Sequence, residues 1–292
     1  MAFLSNAFGM RQPFLVSLWS FIQKPRWNDA DKHISWTHFV QALAWGIVGA
    51  FSTGIIIQIV VFFLDIELSN SVVTLVEEAA WYEMLYFAAI VAPIMEEFIF
   101  RLPLSSVRWV WQVWLIGLVA WLVYFFGMSG TPLIITALVA GALVGVIGFI
   151  RSSHWAQVTN QIQGVLIGSS VLIFGVIHLL NYESLPLLYG GILVFVLPQI
   201  WGGILMAYLR VKQSFRMAVL YHCVYNFFLA APVVLVFPII DQPDLESLSS
   251  SDELVVGLVG VAMSIGSALL VGIVVWSIYQ VTLWKKSNQT PA

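Results

Sequence analysis

Long apolar blocks near 38–64, 79–100, 109–127, 132–150, 163–180, 187–209, 215–238 and 254–284 are separated by short polar stretches. A hydrocarbon core of about 30 Å is crossed by about 20 mostly apolar helical residues, and each block is close to that length or longer. The pattern predicts an all-α, polytopic membrane protein of about eight transmembrane helices. The longest polar stretches, 23–37 and 241–253, are too short to fold alone. The chain therefore reads as an N-terminal segment 1–37, cytoplasmic or interfacial, a single membrane domain 38–284, and a cytoplasmic tail 285–292. The apolar core at 14–22 is short and no small-x-small cleavage site follows it, which argues against a signal peptide. Trp19, Trp27 and Trp36 lie among basic residues and suit either a helix in the interface or a partly ordered tail. Residues 72–82, with Glu77 and Glu78, are expected in the interface ahead of the second span.

Charge gives the direction. Lys and Arg concentrate on the cytoplasmic side of membrane proteins. With eight spans and a cytoplasmic N-terminus, all 12 basic residues fall on one side. Arg11, Lys24, Arg26 and Lys32 precede the first span, and Arg101 and Arg108 follow the second. Arg151 follows the fourth, Arg210, Lys212 and Arg216 the sixth, and Lys285 and Lys286 the last. The opposite loops hold Asp65, Glu67, Glu183, Asp241, Asp244, Glu246, Asp252 and Glu253. Both termini are then cytoplasmic. Composition agrees: 60% of the 292 residues are hydrophobic and 9% charged, roughly a third of the charged share of a soluble domain, and the mean hydropathy is +0.94. A soluble enzyme, a disordered chain and a coiled coil are excluded. The net charge of −3 argues against a nucleic-acid partner. The single cysteine, Cys223, excludes an internal disulfide framework and a multi-cysteine zinc site.

Against this background a few polar residues stand out, because an ionisable group at membrane depth costs about 2.5–3.5 kcal/mol on insertion scales and marks a functional site by default. In Ala92-Pro93-Ile94-Met95-Glu96-Glu97-Phe98-Ile99-Phe100-Arg101, two carboxylates are followed by an arginine. On a helix, Glu97 and Arg101 share a face and can pair. Glu96 is turned about 100° away and is free to face a cavity as a general acid or base. An interfacial Glu–Arg pair at a helix end would account for Arg101 but not for the second glutamate. Phe174 and His178 lie one turn apart in another block, as do His222 and Asn226 in a third. Each alone fits a packing residue or an interhelical hydrogen bond. Together, two glutamates, two histidines, an asparagine and an arginine on three helices assemble readily into a hydrolytic site. Glu96, His178 and His222 are also a candidate metal set, since imidazole nitrogen and carboxylate oxygen suit zinc. Gly141 with Gly145, and Gly202-Gly203, read as close helix packing. Ser169 and Ser170 share a helix with His178, but no partner acid is evident for a serine protease.

These three clusters, in this order, resemble the CAAX-processing and bacteriocin-immunity family of intramembrane proteases, which includes type II CAAX prenyl endopeptidases. The family pattern Glu-Glu-x-x-x-Arg, Phe-x-x-x-His, His-x-x-x-Asn is matched by Glu96, Glu97 and Arg101; Phe174 and His178; His222 and Asn226. The Ala92-Pro93 lead-in and the stretch from Gly203-Ile204-Leu205 to Asn226 look similar too, so the likeness covers roughly 85–230. Leu102-Pro103 stands where members carry glycine after the arginine. The interval from Glu97 to His178 is longer by about one helical hairpin, 109–150. The resemblance implies an endopeptidase of a bacterial cytoplasmic membrane acting on a membrane-associated protein or peptide. In it Glu96, helped by His178, would activate water, His222 and Asn226 would stabilise the oxyanion, and Arg101 would hold Glu97. A metal-free glutamate mechanism and a zinc–water mechanism use the same residues, and no other cofactor is implied.

Two other classes compete. One is a non-catalytic immunity or scaffold protein on the same fold. The other is a proton- or cation-coupled transporter, for which matching broken helices in internal repeats would be expected, and no clear repeat is seen. One geometric tension accompanies the protease reading. With straight spans, Glu96 lies near the cytoplasmic end of its helix and His178 near the outer end of its own, roughly 15 Å or more apart in depth.

Overall fold

The computed structural model describes residues 12–26, 34–64, 80–127, 129–182, 192–240 and 250–289. Among them there is no β-strand: the elements are α1 (Phe14–Gln23), α2 (Trp36–Leu64), α3 (Trp81–Tyr86), a π-turn (Phe87–Val91), α4 (Ala92–Phe100), α5 (Arg108–Phe125), α6 (Gly130–Phe149), α7 (Ser152–Ile177), a 3₁₀ turn (His178–Asn181), a second 3₁₀ turn (Ile192–Val196), α8 (Leu197–Lys212), α9 (Phe215–Ile240) and α10 (Ser250–Gln289). Every apolar block is helical where it is described. Among the described residues, six helices are long and apolar enough to cross a bilayer: Trp36–Phe63, Gly130–Phe149, Ser152–Asn181, Val194–Lys212, Phe215–Leu235 and Leu254–Asn288. The other two blocks are the π-interrupted run from Trp81 to Phe100 and the shorter α5. The chain is an integral membrane protein. Glu77, Glu78, Asp65, Glu67, Glu183, Asp241, Asp244, Glu246, Arg11, Trp27 and Lys32 lie outside the described residues.

The core is built around α8, which packs against α2, α7 and α9. In its apolar window 61% of residues are buried, against 0% for α10, the outermost helix. Where helices meet lipid rather than each other, the bilayer supplies no hydrophobic drive between them, and close approach through small residues takes its place. Gly49 illustrates it. A Cβ there would lie 2.1 Å from the Trp201 ring, and its absence lets the indole Nε1 donate to Trp45 O at 2.8 Å, joining α2 to α8. Gly203 is a similar close approach, described below. Gly141 and Gly145 differ from expectation: nothing lies within 4 Å of either Cβ position, so that stripe is not a packing seam within this chain.

Two peripheral units are clear. α5 and α6 form a hairpin, with α6 packed chiefly on α5. Arg108 closes it, donating from Nη1 to Gly148 O (2.9 Å) and Ile150 O (2.6 Å) at the C-terminal end of α6, a favourable place for a cation. The short α1 buries Phe14, Leu18 and Phe21, one stripe at i, i+4, i+7. The Ser17 hydroxyl accepts from Tyr208 OH at 3.0 Å. Its apolar face is thus turned to the bundle, while Trp19 remains 60% exposed.

Gly49→Ala is expected to lower the melting temperature of the detergent-purified protein, because overpacking costs about 1–3 kcal/mol. Gly54→Ala, with open space at its Cβ, is the control and should melt with the wild type. Equal melting of both would show that the α2–α8 contact tolerates a methyl group.

Candidate functional site

The site begins with a helix that stops inside the protein. Leu102 precedes Pro103, and a residue before proline is biased away from helical backbone, so α4 ends at Phe100. Arg101 follows at 0% exposure. The last carbonyls of a helix have no internal donor, and dry ones must find another. Here side chains from three other helices supply them. Trp114 Nε1 of α5 donates to Ile99 O at 2.8 Å. Ser170 Oγ of α7 donates to Phe100 O at 2.6 Å. Arg210 of α8 donates from Nε to Arg101 O at 2.9 Å and from Nη2 to Leu102 O at 3.4 Å. Arg101 is therefore enclosed by protein rather than exposed at a helix end, and Arg210, 7% exposed, lies in α8 rather than in a loop.

This dry terminus anchors an ionisable quartet. Arg101 Nε lies 3.7 Å from Glu97 Oε1, both side chains at 0% exposure. The same oxygen faces His222 Nδ1 at 3.1 Å. The other ring nitrogen, Nε2, lies 3.5 Å from Glu96 Oε2, and the Glu96 side chain is 27% exposed. The two carboxylates thus face the two ring nitrogens of His222, Glu97 at Nδ1 and Glu96 at Nε2, and because a carboxylate oxygen can only accept, a ring nitrogen that bonds one of them does so as a donor.

Phe174 organises the other side. Its ring carries Arg101 Cζ at 4.1 Å from the centroid, a cation–π contact. His178 and His222 both pack edge-on against it, at 4.7 and 5.8 Å between centroids. Gly203 makes room: a Cβ there would lie 3.1 Å from Arg101 Nη2 and 3.2 Å from Phe174 Cδ1, and its carbonyl accepts from Nη2 at 3.4 Å. The two deep imidazoles are thus brought to one ring, and one of them, His222, lies beside Glu96. The straight-span estimate took helix ends as membrane surfaces. α4 ends at a buried residue, and α7 begins at Ser152, eleven residues ahead of the apolar block at 163.

The partner of Glu96 differs from expectation. The imidazole next to it is His222. His178 Nδ1 lies 2.7 Å from the Phe174 carbonyl, which can only accept, so Nδ1 carries the proton and Nε2 is left as an acceptor. Asn226 also has a partner other than a reacting group. It donates from Nδ2 to Ala88 O at 3.0 Å. That carbonyl needs it: the Ala92 N–H bonds Phe87 O across the π-turn, and the next donor in register, residue 93, is a proline. Single π-turns inside helices occur frequently at functional sites.

The sequence pointed to Glu96, Glu97, Arg101 and His222, which the structure brings together, and to His178 and Asn226, whose described partners are backbone carbonyls; it gave Arg210, Ser170 and the π-turn no place in the site. Pro93 in the middle of an apolar block was the available signal for the turn. For zinc, the donor types Glu96, His178 and His222 are suitable, yet among the described residues no group of three His, Cys, Asp or Glu side chains converges. Comparison with known proteins finds no matching family model, no matching curated protein and no matching solved structure.

Asn226→Leu should destabilise the protein by about 1–3 kcal/mol, the cost of a buried carbonyl left without a donor. Pro93→Ala returns an N–H to this stretch. In the Pro93→Ala background the Asn226→Leu penalty should therefore shrink, a non-additive double-mutant cycle read by chemical or thermal unfolding in detergent. Strict additivity would separate the two residues.

Proposed function

We propose that the protein is an intramembrane endopeptidase of the CAAX-processing and bacteriocin-immunity type, with eight spans, both termini cytoplasmic, in a bacterial cytoplasmic membrane. The observation that carries the reading is the 3.5 Å approach of Glu96 Oε2 to His222 Nε2. A partly open carboxylate and an imidazole nitrogen face each other there, behind a dry Glu97–Arg101 pair. That is the triad logic of a base oriented by a third group: Glu97 holds Nδ1–H and leaves Nε2 for chemistry.

In the proposed reaction a water molecule between these groups attacks the carbonyl carbon of a peptide bond. Glu96 takes the water proton as the C–O bond forms. Imidazole N–H and nearby amide donors balance the oxyanion. The C–N bond then breaks, and the proton held by Glu96 passes to the departing amine. His178, with Nε2 as an acceptor, is a second base on the far side of Phe174. Asn226 supports the helix that carries Glu96 and contributes its remaining N–H. The donor set does not converge as three ligands, so no step is written through a metal.

The test is cleavage of a panel of membrane-associated peptides by purified full-length protein in detergent, with and without a chelator. Glu96→Gln and His222→Gln should each lose about 10²–10⁴-fold in turnover, the range of general acid–base catalysis. Glu96→Gln turning over as fast as wild type would remove the proposed base. Inhibition by chelator, reversed by zinc, would bring the metal form of the chemistry back. Biological activity retained in both variants would favour the scaffold reading.

A further inference from the structure

We infer that Arg210 is a positioning residue for the Glu96–His222 pair, acting through Arg101; this deepens the proposed reading of that site. Arg210 sits in the last turn of α8 at 7% exposure, where a charge held only for membrane orientation would be solvated. Both of its carbonyl contacts are on the residues that end α4. Seven residues earlier on the same helix, two turns away and so on the same face, Gly203 O accepts from Arg101 Nη2. One face of α8 therefore grips Arg101 twice, by its side chain at Gly203 and by its main chain at Arg210.

The grip matters because of what Arg101 shares. Glu97 Oε1 takes both Arg101 Nε, at 3.7 Å, and His222 Nδ1, at 3.1 Å. Displacing Arg101 moves the Glu97 oxygen that faces Nδ1, and with it the angle at which the His222 ring meets Glu96. A misplacement of this order, away from the chemistry, can cost as much as 100-fold in rate. Lysine cannot replace the fork: a single ammonium lacks the planar pair of donors that reaches both carbonyls. Simple capping of α4 predicts something different, a loss of stability without an effect on the ring of His222.

Full-length protein labelled with ¹⁵N-histidine, in lipid nanodiscs, gives the readout, with the His222 signals identified by their loss in His222→Gln. Arg210→Gln is expected to shift the His222 Nδ1 and Nε2 signals and, if wild type cleaves a peptide, to lower kcat about 10- to 100-fold with little change in KM. Arg108→Gln removes an arginine from the end of α6 in the outer hairpin and should lower the melting temperature while leaving the His222 signals in place. Unchanged His222 signals in a folded Arg210→Gln would overturn the inference even if the variant melts early. Should Arg210→Gln fail to fold, Arg210→Lys decides on the same spectra: shifted signals support it and wild-type signals overturn it. The spectra need no substrate, so an inactive wild type would count against the peptidase reading and not against this one.

Discussion

A helix that ends in an apolar interior leaves carbonyls that neither water nor lipid can satisfy. In this protein that constraint is met at the end of α4, and the rest of the site depends on how. Trp114, Ser170 and Arg210, from α5, α7 and α8, converge on four successive carbonyls from Ile99 to Leu102. The three helices are thereby held against a single point. Arg101 can then be fully buried with its guanidinium on Phe174 and Gly203, and the carboxylate one turn back has a fixed cation beside it.

From that point the electrostatics run outward in order of exposure. Glu97 and Arg101 are wholly dry, His222 is almost so, and Glu96 is partly open. Removing either member of a dry pair leaves a buried charge, which is strongly destabilising, so Glu97 is tied to its partner Arg101. Glu96 is under no such restriction. Two adjacent identical residues thus take different parts because one helical step, about 100°, separates a dry face from an open one. His222 lies between them and transmits the difference, one ring nitrogen to each.

Much of this was legible in the chain. The apolar blocks became helices, and the i, i+4 spacing of Glu97 and Arg101 became a real pair. His222 and Asn226 were singled out as face-mates, and the structure gives them different partners, Glu97 and the Ala88 carbonyl. What failed to show has physical reasons. The block that starts at 163 hid the true start of α7 because Gln157, Asn160, Gln161 and Gln163 lower the hydropathy without breaking the helix. A π-turn adds less than one residue per turn and leaves no mark on apolar periodicity. Arg210 reads as one more basic residue at a cytoplasmic end, since no linear pattern reveals that a side chain turns back to cap a helix more than a hundred residues earlier.

The π-turn and the buried stop act on the same short helix from opposite ends. The fifteen residues from Ala88, held by Asn226 of α9, to Leu102, held by Arg210 of α8, contain both glutamates. Pro93 and Pro103 create the two deficits, one by withholding an N–H and the other by stopping the helix. Each deficit is met by a polar side chain from a neighbouring helix of the core. In a water-soluble protein such carbonyls could turn to solvent and the segment could drift. Enclosed among apolar helices, the same carbonyls keep their protein donors, which hold the segment that carries Glu96 beside His222. The two prolines that look like defects in a membrane helix are therefore the reason its carboxylates are held in place.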